Sequence, residues 1–409
     1  MEEMEDKYID LLLETCIDLN HKILFISYQK EIEQFIKKLV TKAKAKGISE
    51  FYLEMENIFY THQFLKTKSE EEIMASNYFD KSIWDVFAKK KANFLIFETE
   101  YPKLMDDISD SLIAKVAKKK NDTRPLYRKM VEKCAISWCI AAYPGKMWAE
   151  AIYKENNSYL KLKEAIYKMC MLDKENPLRS WKEHLSKLQR IINILNRLNL
   201  EKLHYSNSLG TELDVYLPKK YRFSSAKDGN VIVNMPSYEV FASPIYNKTT
   251  GIVYSSKPLN YNGKIVDQFW IKFIDGKAVD YDAKEGKKIL KSVIENDKNS
   301  CYLGECALVE YNSPISLMNK TFGTTLIDEN ASCHLALGTG FAECLEDGLN
   351  LEPQELLNSG INVSKTHVDF MIGTSDLFIV GTTITGEEII IFKNGNFDEN
   401  LLENRSLFQ

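Results

Sequence analysis

Hydrophobic residues in the first half of the chain alternate between short continuous runs and helical spacing. The runs at residues 23–27, 51–55 and 93–98 are apolar enough to predict buried strands. Between the first two, residues 30–45 carry apolar side chains at spacings of three and four, and Gly47 follows them. This spacing predicts an amphipathic helix that ends at the glycine. Strand, helix and strand in this order predict a parallel sheet with crossover helices.

From about residue 200 the pattern changes to short β-rich runs separated by two-residue turn signals. The signals are Asn262-Gly263, Asp275-Gly276, Thr385-Gly386 and Asn394-Gly395. Residues 264–273 predict a long strand and residues 283–294 a helix. This half therefore predicts an α+β fold with a largely antiparallel sheet.

The length supports two domains, because 409 residues exceed what one hydrophobic core usually serves. We predict an N-terminal α/β domain over residues 1–200, with a parallel sheet and crossover helices. A C-terminal α+β domain is predicted over residues 201–409. No G-x-G-x-x-G or G-x-x-x-x-G-K-[ST] motif follows the early strands, so the first domain carries no nucleotide-binding signature.

The composition of the chain limits which binding partners and which cellular compartment are expected. A net charge of −5 provides no broad cationic field, so neither nucleic acid nor an anionic membrane is expected as a partner. The acidic N-terminus lacks the features of a signal peptide, and the longest mostly apolar run, residues 134–144, is too short to span a bilayer. The eight cysteines form no C-x-x-C pair, which argues against zinc ribbons and thioredoxin-like chemistry. Unpaired thiols suit a reducing compartment, so we predict a cytoplasmic protein.

The candidate chemistry lies in the second half. On a strand, His367 and Asp369 project from the same face, as two metal ligands would. The tripeptide alone is more simply explained as a strand-edge histidine beside a solvated aspartate. Glu305 lies in an otherwise apolar strand, where a carboxylate is costly without a cation or hydrogen bonds. Glu239 lies between two prolines, and each of these glutamates alone is also compatible with a hydrogen-bonded structural acid.

Together with His334, these residues make five potential ligands of mixed carboxylate and imidazole type. A single catalytic zinc normally takes three protein ligands, so five fit two adjacent divalent ions better. Zinc, cobalt and manganese all suit this ligand set. The H-E-x-x-H and G-x-S-x-G motifs are missing from the sequence, which excludes two common hydrolase designs.

Four segments, NMPSYEVFASP, YLGECALVE, DENASCHLALG and THVDFMIG, resemble in order and spacing the motifs of the M29 metalloaminopeptidases, the aminopeptidase T and S group. The resemblance implies a C-terminal catalytic domain with a pair of metal ions, and a homodimer whose subunits help to enclose the active site. The implied metal ligands are Glu239, Glu305, His334, His367 and Asp369.

The resemblance also implies a role for Glu329, as a further metal ligand or as the general base; a salt bridge on the loop is the structural alternative. The implied reaction removes the N-terminal residue of short peptides with a water activated by both metals. In this mechanism Glu329 accepts the water's proton and passes it to the leaving amine.

Two positions depart from the family pattern. Phe341 stands where the family has an active-site tyrosine, and loss of one hydrogen-bond donor to a tetrahedral intermediate typically costs on the order of 10²–10³ in rate. Tyr238 stands where members often carry glycine, and one hypothesis is that it supplies the lost hydroxyl.

Two interpretations follow. The first is an active, slow or specialised aminopeptidase, which the five intact ligands favour. The second is a catalytically weak or inactive relative with a binding or regulatory role. A metal-dependent amidase acting on a modified peptide is a third option.

Overall fold

Strands and helices alternate through the first 150 residues, and strands dominate after residue 200. The structure, a computed structural model, describes residues 2–228, 231–261 and 264–403. Its strands are β1 (Ile23–Gln29), β2 (Glu50–Glu56), β3 (Asn93–Glu98), β4 (Trp138–Ala142), β5 (Leu200–Ser206), β6 (Glu212–Tyr216), β7 (Lys227–Asp228), β8 (Val231–Ile232), β9 (Asn234–Met235), β10 (Val240–Ala242), β11 (Thr250–Tyr254), β12 (Leu259–Tyr261), β13 (Lys264–Ile274), β14 (Lys277–Glu285), β15 (Leu303–Leu308), β16 (His334–Gly338), β17 (His367–Met371), β18 (Phe378–Thr383), β19 (Glu388–Lys393) and β20 (Asn396–Phe397). Its α-helices are α1 (Glu2–Thr15), α2 (Glu33–Ala45), α3 (Ile58–Thr67), α4 (Glu70–Ala75), α5 (Ser82–Lys89), α6 (Asp110–Asp122), α7 (Pro125–Glu132), α8 (Lys146–Tyr153), α9 (Ser158–Met169), α10 (Pro177–Arg197), α11 (Lys287–Ile294), α12 (Thr325–Asp328), α13 (Pro353–Asn358) and α14 (Glu399–Glu403).

Contacts divide the chain into two units. The first comprises Met1–Trp181 and Lys227–Pro236, and the second comprises Lys182–Ala226 and Ser237–Gln409. The domain boundary at residue 200 stays a prediction. Within the described part of the chain, no helix is both long and apolar enough to cross a membrane.

The first unit is built on a five-stranded sheet with the order β2-β1-β3-β4-β9. All four pairings in this sheet are parallel. Leu24, Phe25 and Ile26 of the inner strand β1 are fully buried, as expected where both faces of a parallel sheet are covered. The predicted strands at residues 23–27, 51–55 and 93–98 are β1, β2 and β3. The helix predicted at residues 30–45 is α2, preceded by one 3₁₀ turn.

Glu98, the last residue of β3, gives the first unit a pH-dependent stability. Burial raises the pKa of its carboxyl group to about 8, and the negative charge of Glu100 acts in the same direction. A raised pKa stabilises the fold below the pKa of the unfolded chain, and this contribution is lost as the pH rises towards the folded pKa. We therefore expect the free energy of unfolding to fall between about pH 5 and about pH 8, and to fall less in a Glu98→Gln variant.

Urea denaturation at both pH values measures this difference. The exposed Glu132 of α7 offers a matched control, since Glu132→Gln makes the same change in a solvated side chain. The control should keep the pH dependence of the unaltered protein. An equal pH dependence in all three proteins would show that Glu98 is not the group responsible.

The described residues of the second unit form two antiparallel sheets. One has four strands in the order β10-β15-β16-β17, and the other has nine, β12-β13-β11-β6-β5-β18-β19-β20 with β14 paired to β13. They share one core, to which the first contributes Leu335 and Phe370 and the second Phe269 and Ile271. The rings of Phe269 and Phe370 lie 5.7 Å apart across it. The predicted α+β fold with a largely antiparallel sheet is confirmed.

Three of the four predicted turns join neighbouring strands. Asp275-Gly276 connects β13 to β14 and Asn394-Gly395 connects β19 to β20, with positive φ at both residues of each pair. Thr385-Gly386 lies between β18 and β19, with φ 84° at the glycine. The fourth, Asn262-Gly263, lies outside the described residues.

The predicted start of one helix is wrong. Residues 283–285 belong to β14, where Ala283 pairs with Phe269 and Glu285 pairs with Asp267. The helix α11 begins only at Lys287, after Gly286 in the left-handed conformation. Pairing with β13 outweighs the local helical spacing at these residues.

Candidate metal centre

One face of the four-stranded sheet gathers the candidate ligands. Ala336 of β16 pairs with Glu305 of β15 on one side and with Asp369 of β17 on the other. His334 and His367 lie two residues from this row on β16 and β17, so all four polar side chains share a face. Asp369 is only 8% exposed, so it is not the solvated aspartate of the alternative explanation, although β17 is the last strand of this sheet.

The opposite face of the same strands explains why the polar residues point where they do. Cys306, Leu335 and Phe370 alternate with the candidate ligands and are buried in the core of the second unit. A shift of one residue along any strand would exchange the two sets, which would place apolar side chains among the candidate ligands and charged ones in the core.

A bulge beside Glu305 depends on Gly304. The register shifts between Leu303 and Glu305, and a Cβ atom on Gly304 would lie 2.1 Å from the carbonyl oxygen of Thr339. Only glycine permits this approach of the two backbones. The bulge brings Glu305 opposite Ala336.

Glu239 reaches the centre from the segment that leads into β10. Its carboxylate is buried, and its Oε2 lies 3.3 Å from Nε2 of His334. His334 Nε2 is also 3.9 Å from Oε1 of Glu305. On the other side of Glu305, His367 Nε2 lies 3.2 Å from Oε2 of Glu305 and 3.3 Å from Oδ1 of Asp369.

These contacts define two groups of three potential ligands that share one carboxylate. Glu239, Glu305 and His334 form the first group, and Glu305, His367 and Asp369 form the second. Within each group the ligand atoms all lie within 4.8 Å of one another. The structure therefore brings together all five residues that the sequence singled out as mixed carboxylate and imidazole ligands.

Both imidazole rings are oriented by backbone carbonyl groups. Nδ1 of His334 lies 3.0 Å from the carbonyl oxygen of Ser332, and Nδ1 of His367 lies 2.9 Å from that of Thr339. A carbonyl oxygen can only accept, so Nδ1 carries a proton in each ring. The Nε2 atoms consequently face the carboxylates, which is the arrangement found in histidines that bind metals.

The three buried carboxylates of the cluster favour positive charge on the groups beside them. Burial disfavours a charged His334, yet its hydrogen bond with Glu239 and the charge of Glu305 raise its pKa to about 9. Burial acts in the same way on His367, but Asp369 and Glu305 raise the pKa of its imidazole well above the ordinary value. Burial raises the pKa of Glu305 itself. Three carboxylates at such short range are costly unless cations neutralise them.

The side chains present fit divalent ions. Oδ1 of Asp369 is buried and forms no well-aligned hydrogen bond, and the imidazole nitrogen 3.3 Å from it, Nε2 of His367, is itself a candidate ligand. The donor set of carboxylate oxygens and imidazole nitrogens suits zinc, cobalt or manganese. Ala336, between Glu305 and Asp369, is small enough to leave space on this face.

Filling that space should weaken metal binding. In an Ala336→Leu variant, the larger side chain would project between the two carboxylates. We expect the affinity for divalent ions to fall at least about tenfold, a loss comparable to that caused by misplacing metal ligands. Isothermal titration with Co²⁺ measures it.

Ala242→Leu is the matched control, because Ala242 is equally buried on β10 but belongs to the core of the second unit. Overpacking costs both variants about 1–3 kcal/mol of stability, whereas only Ala336→Leu should lose ion affinity. Equal Co²⁺ affinity in both would refute the placement of the ions.

Glu329 and Phe341, the two catalytic candidates, lie outside both groups of three. Glu329 is buried in a 3₁₀ turn and belongs to neither group of three; its Oε1 accepts a hydrogen bond from Asn330. The ring of Phe341 lies 5.0 Å from that of His367, and its backbone N–H donates to Ser243 Oγ. Tyr238 is buried, with its ring 4.8 Å from that of His184.

Sequence reasoning missed three residues that shape this centre. They are Gly304 in the bulge, Ala336 between the carboxylates and Asn330, which contacts Glu329. Gly304 and Ala336 act through their small size, and Asn330 acts through its contact with Tyr238 on another segment. Only Gly304 left a signal, as a glycine inside an apolar strand.

Comparisons with known proteins agree with the geometry. A family model described as thermophilic metalloprotease (M29) matches residues 1–397. Aminopeptidase AmpS of Bacillus subtilis (strain 168) is 37% identical over 318 residues, which cover 76% of this chain and 77% of that protein. Aminopeptidase 2 of Geobacillus stearothermophilus is 32% identical over 401 residues, which cover 96% of this chain and 97% of that protein.

A solved structure, wild-type AmpT from Thermus thermophilus, matches with a TM-score of 0.87 and 24% sequence identity. The match covers 97% of this chain and 99% of that one. At this level of identity the likeness concerns the fold, and it confirms the predicted fold class, an α/β unit followed by an α+β unit.

Proposed function

Because the chain belongs to the M29 family of metallopeptidases, we propose that it is an aminopeptidase that removes the N-terminal residue of short peptides with the help of two divalent ions. The observation that carries the proposal is the pair of ligand groups that share Glu305. A site of three protein ligands is typical of one catalytic ion, and a shared carboxylate is typical of two adjacent ions.

In the proposed centre, Glu239 and His334 would hold one ion and His367 and Asp369 would hold the other, with Glu305 belonging to both ligand groups. Zinc, cobalt and manganese are the candidate metals. When bound, such ions lower the pKa of a water towards neutrality and polarise the carbonyl of the scissile bond.

The protein's own groups provide orientation and proton transfer. The carbonyl groups of Ser332 and Thr339 hold the two histidines with Nε2 towards the ions. Glu329 acts as the general base: its carboxylate accepts the proton of the attacking water and delivers it to the leaving amine. Its place outside both ligand groups supports this role over that of a further ligand.

A second candidate function rests on Phe341. Its ring packs against Phe241 and His367, so this position offers no hydroxyl group near the centre. A protein with the ions but without this donor would bind peptides and cleave them slowly, or serve as a binding or regulatory relative. The five intact ligand positions favour the enzyme.

The proposal extends to the enzyme's setting, a cytoplasmic homodimer. The eight free cysteines, seven of them buried, support a reducing compartment. The homodimer rests on the likeness to the family. Light scattering coupled to size-exclusion chromatography tests it, and a mass of one chain, 47.2 kDa, at working concentration would exclude the dimer.

The proposed activity is tested with unblocked peptides and their N-acetylated counterparts. The purified protein, loaded with Zn²⁺, Co²⁺ or Mn²⁺, should release the first residue of unblocked peptides only. A chelator should stop the release, and added metal should restore it. Failure to release an amino acid from a broad panel with any of the three metals would support the non-catalytic alternative, and cleavage of blocked peptides would exclude an aminopeptidase.

A further inference from the structure

Asn330 connects two parts of the proposed centre. Its side chain is fully buried, and its Oδ1 accepts a hydrogen bond of 2.6 Å from the backbone N–H of Tyr238. Its Nδ2 donates to the carbonyl oxygen of Leu326 at 3.1 Å and to Oε1 of Glu329 at 3.4 Å. One amide thus contacts the residue before Glu239 and the carboxylate of Glu329.

An amide is the chemical group that this position requires. The Tyr238 N–H needs an acceptor, while the Glu329 carboxylate needs a donor, and asparagine offers both on a short side chain without charge. The backbone carbonyl of Asn330 accepts a bond from Ser313 Oγ, which further anchors the turn. A buried group with all these partners has a fixed orientation.

We propose that Asn330 is a positioning residue, which holds the carboxylate of Glu329 in place relative to the segment that carries Glu239. The inference rests on the proposed function, since it takes Glu239 as a metal ligand and Glu329 as the general base. Removing a group that orients a metal ligand or a catalytic carboxylate typically lowers metal affinity or activity about 10–100-fold.

Two substitutions separate these contacts. Asn330→Asp keeps the shape and the acceptor for the Tyr238 N–H, but it replaces the amide that donates to Glu329 and to the Leu326 carbonyl with a second carboxylate. Asn330→Ala removes all three contacts. The first variant should therefore disturb Glu329 and the turn that carries it while Tyr238 stays held, and the second should also release the segment of Glu239.

We expect kcat of Asn330→Asp to fall about 10–100-fold with KM and Co²⁺ affinity within about threefold of the unaltered protein. In Asn330→Ala, Co²⁺ affinity, measured by calorimetric titration and by the visible spectrum of the bound ion, should fall about tenfold or more as well.

Asn196 provides a matched control in the same unit. Its Oδ1 accepts from the Phe223 N–H at 2.7 Å, and its Nδ2 donates to the Phe223 carbonyl oxygen at 3.1 Å. Both of these bonds are to backbone groups and neither is to a carboxylate. Asn196→Asp makes the same chemical change outside the centre, so its kcat and Co²⁺ affinity should stay within about twofold of the unaltered protein once corrected for the folded fraction.

The inference is overturned if both Asn330 variants bind Co²⁺ as the unaltered protein does, or if Asn330→Asp loses no more kcat than Asn196→Asp. An unaltered protein without chelator-sensitive peptidase activity would contradict the proposed function instead. In that case the Co²⁺ titrations still decide the role of Asn330: weaker binding in Asn330→Ala but not in Asn330→Asp supports it, and equal binding in the two overturns it.

Discussion

Replacing Glu305 with glutamine is expected to abolish ion binding and to lower kcat/KM on the order of 10³-fold or more. This loss is larger than the roughly 10–100-fold loss expected when a group that only orients a ligand is removed. Glu305 is the one residue that belongs to both groups of three, and its carboxylate is buried. The amide keeps the shape of the side chain but removes the charge that both ions need.

The same variant gives a second readout in thermal unfolding. Divalent ions that bind only the folded protein raise its melting temperature, so added Co²⁺ should stabilise the unaltered protein and leave Glu305→Gln unchanged. Without metal, the variant should unfold at the same or a higher temperature, because glutamine relieves repulsion among three buried carboxylates.

Glu388→Gln, on the exposed part of β19, is the control and should retain both activity and stabilisation by metal. A Glu305→Gln variant that still gains stability from Co²⁺ to the same degree would contradict the assignment of Glu305 as the shared ligand.

Replacing Phe341 with tyrosine is expected to raise kcat on the order of 10²-fold, because it adds a hydrogen-bond donor for the charge that develops on the tetrahedral intermediate. The ring already lies 5.0 Å from that of His367, beside the proposed centre. The side chain is half-buried and packs next to Phe241 and Cys344. The hydrogen bond to Ser243 comes from the backbone N–H of residue 341, so the substitution retains it. Steady-state kinetics with one unblocked peptide measure the effect.

Tyr238→Phe tests whether another hydroxyl already serves this purpose. If Tyr238 supplies the donor, Tyr238→Phe should lower kcat strongly and Phe341→Tyr should gain little. If it does not, Tyr238→Phe should have almost no effect. A kcat that remains unchanged in both variants would contradict a role for any tyrosine hydroxyl at this centre.

The fold could be predicted where local pattern and tertiary environment agree. The strands β1 and β3 are continuous apolar runs because helices cover both faces of a parallel sheet. The two-residue strand β9, which pairs with β4 at the edge of that sheet, is too short to produce a periodic signal. The predicted start of α11 was wrong for a related reason, since pairing with β13 makes residues 283–285 part of the strand β14.

The candidate site could be predicted as a set of residue types but not as a geometry. Carboxylates and histidines in apolar strands are rare enough to indicate ligands. The contribution of Ala336 depends on the register of three strands, and that of Asn330 on a contact across 92 positions of the chain. Contacts of this kind leave no pattern in a single sequence.

The most direct test of the central claim is a crystal structure of the metal-loaded protein with anomalous diffraction measured at the absorption edge of the ion. Two anomalous peaks are expected, roughly 3.5–4 Å apart, one beside Glu239 and His334 and the other beside His367 and Asp369, with Glu305 between them. A single peak, or peaks bound away from these five side chains, would contradict the two-ion centre.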